Sequence, residues 1–183
     1  MYKELFSDDV GSFFRSPVRE IFKKVDLNSI YSFAGGYPSA ETFPLESIRQ
    51  TMSEVIDKYG GKAFQYGATQ GVMELREAVA ERYSVPVDRV QITSSSQQGN
   101  DVCARVLVNP GDVILTSSPS YLGALQSFCS YRAEIVGVPH CDDIEKYKDA
   151  HVNAIVKAET SGHKVKFLYM IPDFQNPSGE SMT

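Results

Sequence analysis

Residues 90–138 read VQITSSSQQGNDVCARVLVNPGDVILTSSPSYLGALQSFCSYRAEIVGV, and short apolar runs alternate there with helical spacing. The pattern predicts a strand at Val90–Thr93 and a helix over Gln98–Val108, closed by Asn109-Pro110-Gly111. It continues with a strand at Asp112–Thr116, a helix over Leu122–Tyr131 and a strand at Ala133–Val138. Downstream, Ile144–Ala158 has the spacing of a long polar-faced helix. Val165–Ile171 (VKFLYMI) is a nearly unbroken apolar run, as expected of a strand covered on both faces. Strand–helix alternation at this spacing implies an α/β fold with parallel strands joined by right-handed crossovers. Ligands of such sheets sit beyond the carboxyl ends of the strands. Three polar segments follow those ends: Ser94–Gln98, Ser118–Tyr121 and Pro172–Pro177.

Working upstream, Leu45, Ile48, Met52, Val55, Ile56 and Tyr59 form a helical stripe after Pro44, and Gly60-Gly61 stops it. Val72, Leu75, Val79 and Tyr83 form a second amphipathic helix. Residues 31–44 read as loop, rich in Gly and Pro. The first 30 residues form a short arm in which Phe13, Phe14, Val18, Ile21 and Phe22 are apolar, with a helix start expected at Val18 after Ser16-Pro17. The expected division is therefore an arm at 1–30 and a single α/β region at 31–183.

The 183 residues carry 18 Lys+Arg against 23 Asp+Glu, a net charge of −5, which argues against a nucleic-acid-binding module because a phosphate backbone wants a basic face. No apolar run approaches the ~20 residues of a membrane helix. The amino-terminal stretch lacks the layout of a secretory signal. Three scattered cysteines, Cys103, Cys129 and Cys141, read as reduced thiols of a cytoplasmic protein.

Each polar segment has a chemical and a structural reading. Ser94-Ser95-Ser96-Gln97-Gln98 joins a strand to a helix, where free N–H groups and the helix dipole favour an anion. Hydroxyls and a glutamine amide add donors, although serine is also an ordinary cap. Tyr121 offers a ring that stacks on a flat heterocycle or packs as a helix-cap tyrosine. Asn176, before Pro177, offers a donor and acceptors to a ligand oxygen or simply belongs to a turn. His140-Cys141-Asp142-Asp143 mixes metal-ligating types without any closed zinc spacing, so no metal is expected. Ser161-Gly162-His163-Lys164 has the S-x-x-K spacing of some nucleophilic sites but precedes its strand, at the amino edge, where a turn is expected.

Taken in order, SFAGGYPSAETFP (32–44), FQYGATQGVMELREAVAERY (64–83), ITSSSQQGNDVCARVLVNPGDVILTSSPSYLGALQSF (92–128) and FLYMIPDFQNPSG (167–179) resemble the class I/II aminotransferases. These are fold-type-I enzymes using pyridoxal 5′-phosphate (PLP), and the chain most resembles the 2-aminoadipate, kynurenine and branched-chain or aromatic aminotransferase group. It runs from about Phe6 to Thr183. The resemblance implies part of the three-layer α/β/α large domain of that fold. It implies cofactor contacts from Ser96 and Gln97 to the phosphate, from Tyr121 to the ring face and from Asn176 to the phenolic oxygen. It also places Gly36 near the substrate carboxylate and Tyr66 at the cofactor site of the neighbouring subunit, hence a homodimer. Amino-acid and 2-oxo-acid substrates follow. Cis bonds are frequent in the family at the positions of Pro119 and Pro177. The family usually has glycine where Ser95 stands; if that position needs φ > 0, serine is strained there.

Family members are more than twice this length. They continue with an aspartate for the pyridine nitrogen, the lysine that forms the Schiff base and an arginine for the substrate carboxylate. Lys157, Lys164 and Lys166 do not match the lysine motif, so no catalytic residue is assigned in this chain. The chain is expected to be the amino-terminal part of such an enzyme, inactive alone, with Val165–Ile171 or another central strand exposed as an edge. The alternatives are a non-catalytic PLP- or phosphate-binding module, a protein-interaction fragment, and the ligand-sensing half of a regulator, for which the arm is too short to hold a helix-turn-helix. Arg15 and Arg19 are candidates for touching an acidic side chain or are ordinary surface arginines.

Overall fold

Val113–Ser118 (β1) is the strand around which the described residues of 94–182 are built. In the computed structural model, which describes residues 2–7, 10, 20–21, 30, 36 and 38–182, five of its six residues are buried. It pairs in parallel with Glu134–Pro139 (β2) on one side and Val165–Tyr169 (β3) on the other, giving the order β2-β1-β3. The register sets Ile114 beside Ile135 and Phe167.

Side chains alternate along a strand, and β1 buries both sets. Ile114 packs with Ala104, Ala124 and Phe128 on the side of the helices Ser96–Leu107 and Leu122–Ser130. Val113 and Leu115 pack with Ala158, Ala154 and Ile155 of the helix Ile144–Thr160 on the other. Helices therefore cover both faces, a three-layer α/β/α arrangement. Phe128 meets Phe167 and Tyr169 edge-on at 5.5 and 5.3 Å between ring centroids. Burying side chains of this size contributes about 1.5–3 kcal/mol each.

The chain divides into two compact units, residues 1–16 with 94–183, and residues 17–93. The second unit holds Leu45–Tyr59 (α1) and Met73–Tyr83 (α2). Gly60 ends α1 at φ 53, a conformation that suits glycine. The remaining helices are Ser96–Leu107 (α3), Leu122–Ser130 (α4) and Ile144–Thr160 (α5). Asp143 caps α5 by accepting from the N–H groups of Glu145 and Lys146. The helix start expected at Val18, most of the 31–37 loop, Arg15 and Arg19 lie outside the described residues.

Three expectations need correction. Val90–Thr93 is not a strand: Arg76 takes the Val90 carbonyl at 2.9 Å, and the Ile92 N–H goes to the Gln70 carbonyl at 3.0 Å. Those bonds tie the segment to residues 70–76 instead of to a ladder. The strand covered on both faces is β1 and not β3, which is only partly buried, with Leu168 exposed; its place at an edge of the sheet is the exposure expected of Val165–Ile171 or another central strand. Finally, α3 starts at Ser96, two residues early, because Ser95 caps it. Among the described residues, no helix is long and apolar enough to cross a membrane.

At the amino edge of the sheet, Asp112 is buried against Lys166, whose Nζ lies 3.2 Å from the carboxylate, and it accepts from the Asn109 N–H at 2.7 Å. The Asn109 N–H first, and then Lys166, hold the Asp112 carboxyl below its ordinary value of 3.8. A depressed carboxyl stabilises the fold above its unfolded pKa and loses that contribution as pH falls through the folded value. The urea midpoint should therefore fall more steeply below roughly pH 4 in the wild-type chain than in Asp112→Asn, the unfolded carboxyl titrating near 3.9. Equal slopes for the two proteins would count against the pair.

Candidate functional site

The start of α3 is built by its own serines and glutamines. Ser95 has φ −170, extended backbone that any residue adopts, so serine is unstrained where the family usually has glycine. Its hydroxyl accepts from the Gln98 N–H, while Gln98 Oε1 reaches back to the Ser94 N–H at 2.7 Å and the Ser94 hydroxyl at 3.0 Å. This is close to the reciprocal capping pattern of S-x-x-Q sequences. Ser94, Ser95 and Gln98 are thus spent on the helix. Ser96 is exposed and occupies the first helical position, followed by Gln97; the N–H groups of that turn have no partner within the helix.

The Gln97 side chain does something the sequence does not announce. Its Nε2 donates to the Gly123 carbonyl at 2.8 Å and to the Ser127 hydroxyl at 2.6 Å, both on α4. Both amide hydrogens are committed, so Gln97 offers a ligand its backbone N–H and not its amide. A Cβ on Gly123 would lie 2.5 Å from Gln97 Oε1 and 2.5 Å from the Tyr121 hydroxyl and ring carbon Cζ. Gly123 sits in an ordinary helical turn, so its role is space: it lets the Gln97 amide and the Tyr121 ring meet at one point.

Tyr121 follows β1 and the cis bond Ser118–Pro119, and stands just before α4. Its half-buried ring packs against the cluster of Ala104, Ile114, Ala124 and Phe128. Tyr169, at the end of β3, bonds to Asn100 of α3; burial raises its hydroxyl pKa above the ordinary 10. Beyond β3, Gln175 is buried and donates from Nε2 to the Pro119 carbonyl at 2.9 Å. Asn176 comes next, exposed, before the cis bond to Pro177.

The three polar segments are therefore physically joined at the carboxyl edge: the start of α3 to α4 through Gln97, and the loop after β3 to the loop after β1 through Gln175. Gly36 and Tyr66 belong to the other unit. Gly36 is exposed, with no atom of the other described residues within 4 Å of a Cβ placed on it, and Tyr66 is fully exposed. His140 lines a cavity at the same edge with Tyr147, Gln175 and Glu180; its Nε2 is 3.4 Å from Asp142. Among the described residues no group of three metal-ligating side chains is gathered. The S-x-x-K segment lies at the amino edge, where the Lys164 carbonyl accepts from the Val113 N–H at 2.8 Å.

Residues 32–183 match the family "Aminotransferase class I and II". The chain belongs to that family. It is 42% identical to aromatic-amino-acid aminotransferase 1 of Thermococcus litoralis, over 99% of this chain and 45% of that one. It is 34% identical to the 2-aminoadipate transaminase of Thermus thermophilus, over 97% and 43%. Among solved structures, the kynurenine aminotransferase of Pyrococcus horikoshii, in complex with PMP, superposes with a TM-score of 0.84 at 38% identity, over 99% of this chain and 46% of that one. The chain thus spans under half the length of the relatives it matches. Its α/β/α arrangement is part of the fold-type-I aminotransferase fold.

Gly123→Ala is expected to cost about 1–3 kcal/mol, the range for overpacking a filled site. Gln97→Ala removes one of the two obstacles, so the double variant should lose less than the sum of the singles, by at least about 0.5 kcal/mol. Urea denaturation of the four proteins of this cycle measures the coupling. Strict additivity would mean that the two side chains do not share that space.

Proposed function

We propose that this chain carries the phosphate, ring-face and phenolic-oxygen contacts of a PLP-dependent aminotransferase, which moves an amino group between an amino acid and a 2-oxo acid. The observation that carries the reading is the bonding of three polar loops at one sheet edge through Gln97 and Gln175. The donor set suits the group. Ser96 brings an exposed hydroxyl and, with Gln97, first-turn N–H groups to a phosphate. Tyr121 brings a ring face. Asn176 brings an exposed amide able to donate to a phenolic oxygen. When bound, PLP supplies a ring that withdraws electrons from the amino acid's Cα. This chain's part is to hold that ring in place and at a fixed angle.

The remaining roles are proposed with it. Gly36 is assigned to the substrate carboxylate. Tyr66, fully exposed, is assigned to the cofactor site of a second copy, hence a homodimer. Residues 1–30 are assigned as an arm and 31–183 as the amino-terminal part of the cofactor-binding domain. The three free cysteines support a reducing, cytoplasmic setting. Turnover by this chain alone is not expected. Lys164 and Lys166 lie at the amino edge, and Lys166 is paired with Asp112, away from the carboxyl-edge loops.

Pyridoxamine 5′-phosphate is the cleaner probe, because its amine cannot condense with surface lysines. Equilibrium dialysis should show one site per chain. Ser96→Ala should weaken binding by about 10-fold or more, the scale of a hydrogen bond to a charged group, and Asn176→Ala by roughly fivefold. Phosphate-only binding, with Asn176→Ala without effect, would favour a phosphate-binding module instead. Keto-acid formation by the 183-residue chain alone would overturn the assignment of inactivity.

A further inference from the structure

Gln175 stands one residue before Asn176, and every polar group it has is used. Its Nε2 donates to the Pro119 carbonyl at 2.9 Å. Its Oε1 accepts from the Ser178 N–H at 3.1 Å and the Ser178 hydroxyl at 2.9 Å. Its own N–H donates to the Glu180 carbonyl at 2.8 Å, and its carbonyl accepts from the Gly179 N–H at 2.6 Å. The residue is 8% exposed, while Asn176 beside it and Phe174 before it are exposed. Phe174 is held at φ 51, in the left-handed region that non-glycine residues rarely occupy. A backbone of that kind persists only where its surroundings over-determine it. The five bonds of Gln175, together with the Phe174 N–H donating to the Ser181 hydroxyl at 3.0 Å, are such surroundings.

One of those bonds leaves the turn. Pro119 lies 56 positions away in sequence, two residues before Tyr121. Inside the turn, Gln175 fixes the backbone on which Asn176 is carried. Across to Pro119, it fixes the segment that delivers Tyr121. We propose that Gln175 is a positioning residue: a buried amide that locks the loop carrying Asn176 to the loop carrying Tyr121, so that ring-edge and ring-face contacts keep one separation. The proposal rests on the PLP reading above. It assigns Gln175 no contact with the ligand and no part in the phosphate cradle, which belongs to the start of α3.

That separation of roles provides the test. Gln175→Glu keeps the size of the side chain and an acceptor for Ser178 but removes the donor to Pro119. In the 183-residue chain, pyridoxamine 5′-phosphate should bind about 10-fold more weakly to this variant, while inorganic phosphate should bind as to wild type, within about twofold. A residue that merely stabilised the fold would move both ligands together. Ser178→Ala, which leaves the Pro119 bond in place, should hold pyridoxamine 5′-phosphate within about twofold of wild type. Equal losses in Ser178→Ala and Gln175→Glu, or parallel losses for both ligands, would overturn the proposal. Should Gln175→Glu fail to fold, the wild-type chain decides: adding pyridoxamine 5′-phosphate should slow amide exchange in 120–123 and 174–179 together, and protection of one loop alone would overturn it. Absence of pyridoxamine 5′-phosphate binding by wild type sinks the PLP reading and this role with it. Binding by wild type with Gln175→Glu unchanged sinks this role alone.

Discussion

The double-sided burial of β1 is the constraint on which the carboxyl-edge loops depend. A strand with one buried face already resists slipping, because a one-residue shift turns its apolar set to solvent; burial of both faces adds to that resistance. β1 has Ile114 locked under α3 and α4 and Val113 and Leu115 locked over α5, so sliding by one residue would drive both sets into the wrong layer. Its carboxyl end at Ser118 is therefore a fixed point. The segment that follows, through Pro119 to Tyr121, inherits that position, and α4 begins from it. Parallel pairing then sets the end of β3 beside it, and with it the turn that carries Asn176.

From these fixed ends, polar side chains divide into two groups with different work. Ser94, Ser95, Gln98, Gln97 and Gln175 turn their hydrogen-bonding groups on the protein itself. Ser96 and Asn176 remain exposed, and Tyr121 half-exposed. The first group costs the protein little, because each buried donor finds an acceptor. It also removes the loop freedom that a ligand would otherwise have to quench on binding. Gly123 belongs with this group although it has no side chain, since its missing Cβ is what allows Gln97 and Tyr121 to approach.

Much of this was legible in the sequence, and the illegible parts share a cause. Helix α1 ends where Pro44 and Gly60 say it should, because both signals are local. The strands at 113–118 and 134–139 follow from short apolar runs between turn residues. The nearly unbroken apolar run VKFLYMI reads as a strand covered on both faces, yet VILTSS holds the centre. Burial depends on which strand lies between the other two, and strand order is not written in any one strand. Val90–Thr93 has strand composition, but Arg76 and Gln70, 14 and 22 positions away from the groups they bind, claim its backbone. Ser96, Tyr121 and Asn176 stood out through strand-end position and motif. Gln175 and Gly123 did not, since the buried amide and the absent methyl act on Pro119 and Gln97, 56 and 26 residues distant.

Segments 94–98, 118–123 and 172–179 contain no lysine or arginine, and Asp173 is their one charged residue. A phosphate at the start of α3 would meet hydroxyl and N–H donors and the helix dipole, a dipole contribution of about 0.3–1 kcal/mol at an exposed site. Neutral donors fix the angle of a phosphate well because hydrogen bonds are directional. They neutralise its charge poorly. On the PLP reading proposed above, these loops would orient a ligand more than attract it. That division suits a site in which full charge compensation comes from groups other than the ones that set the ring's plane.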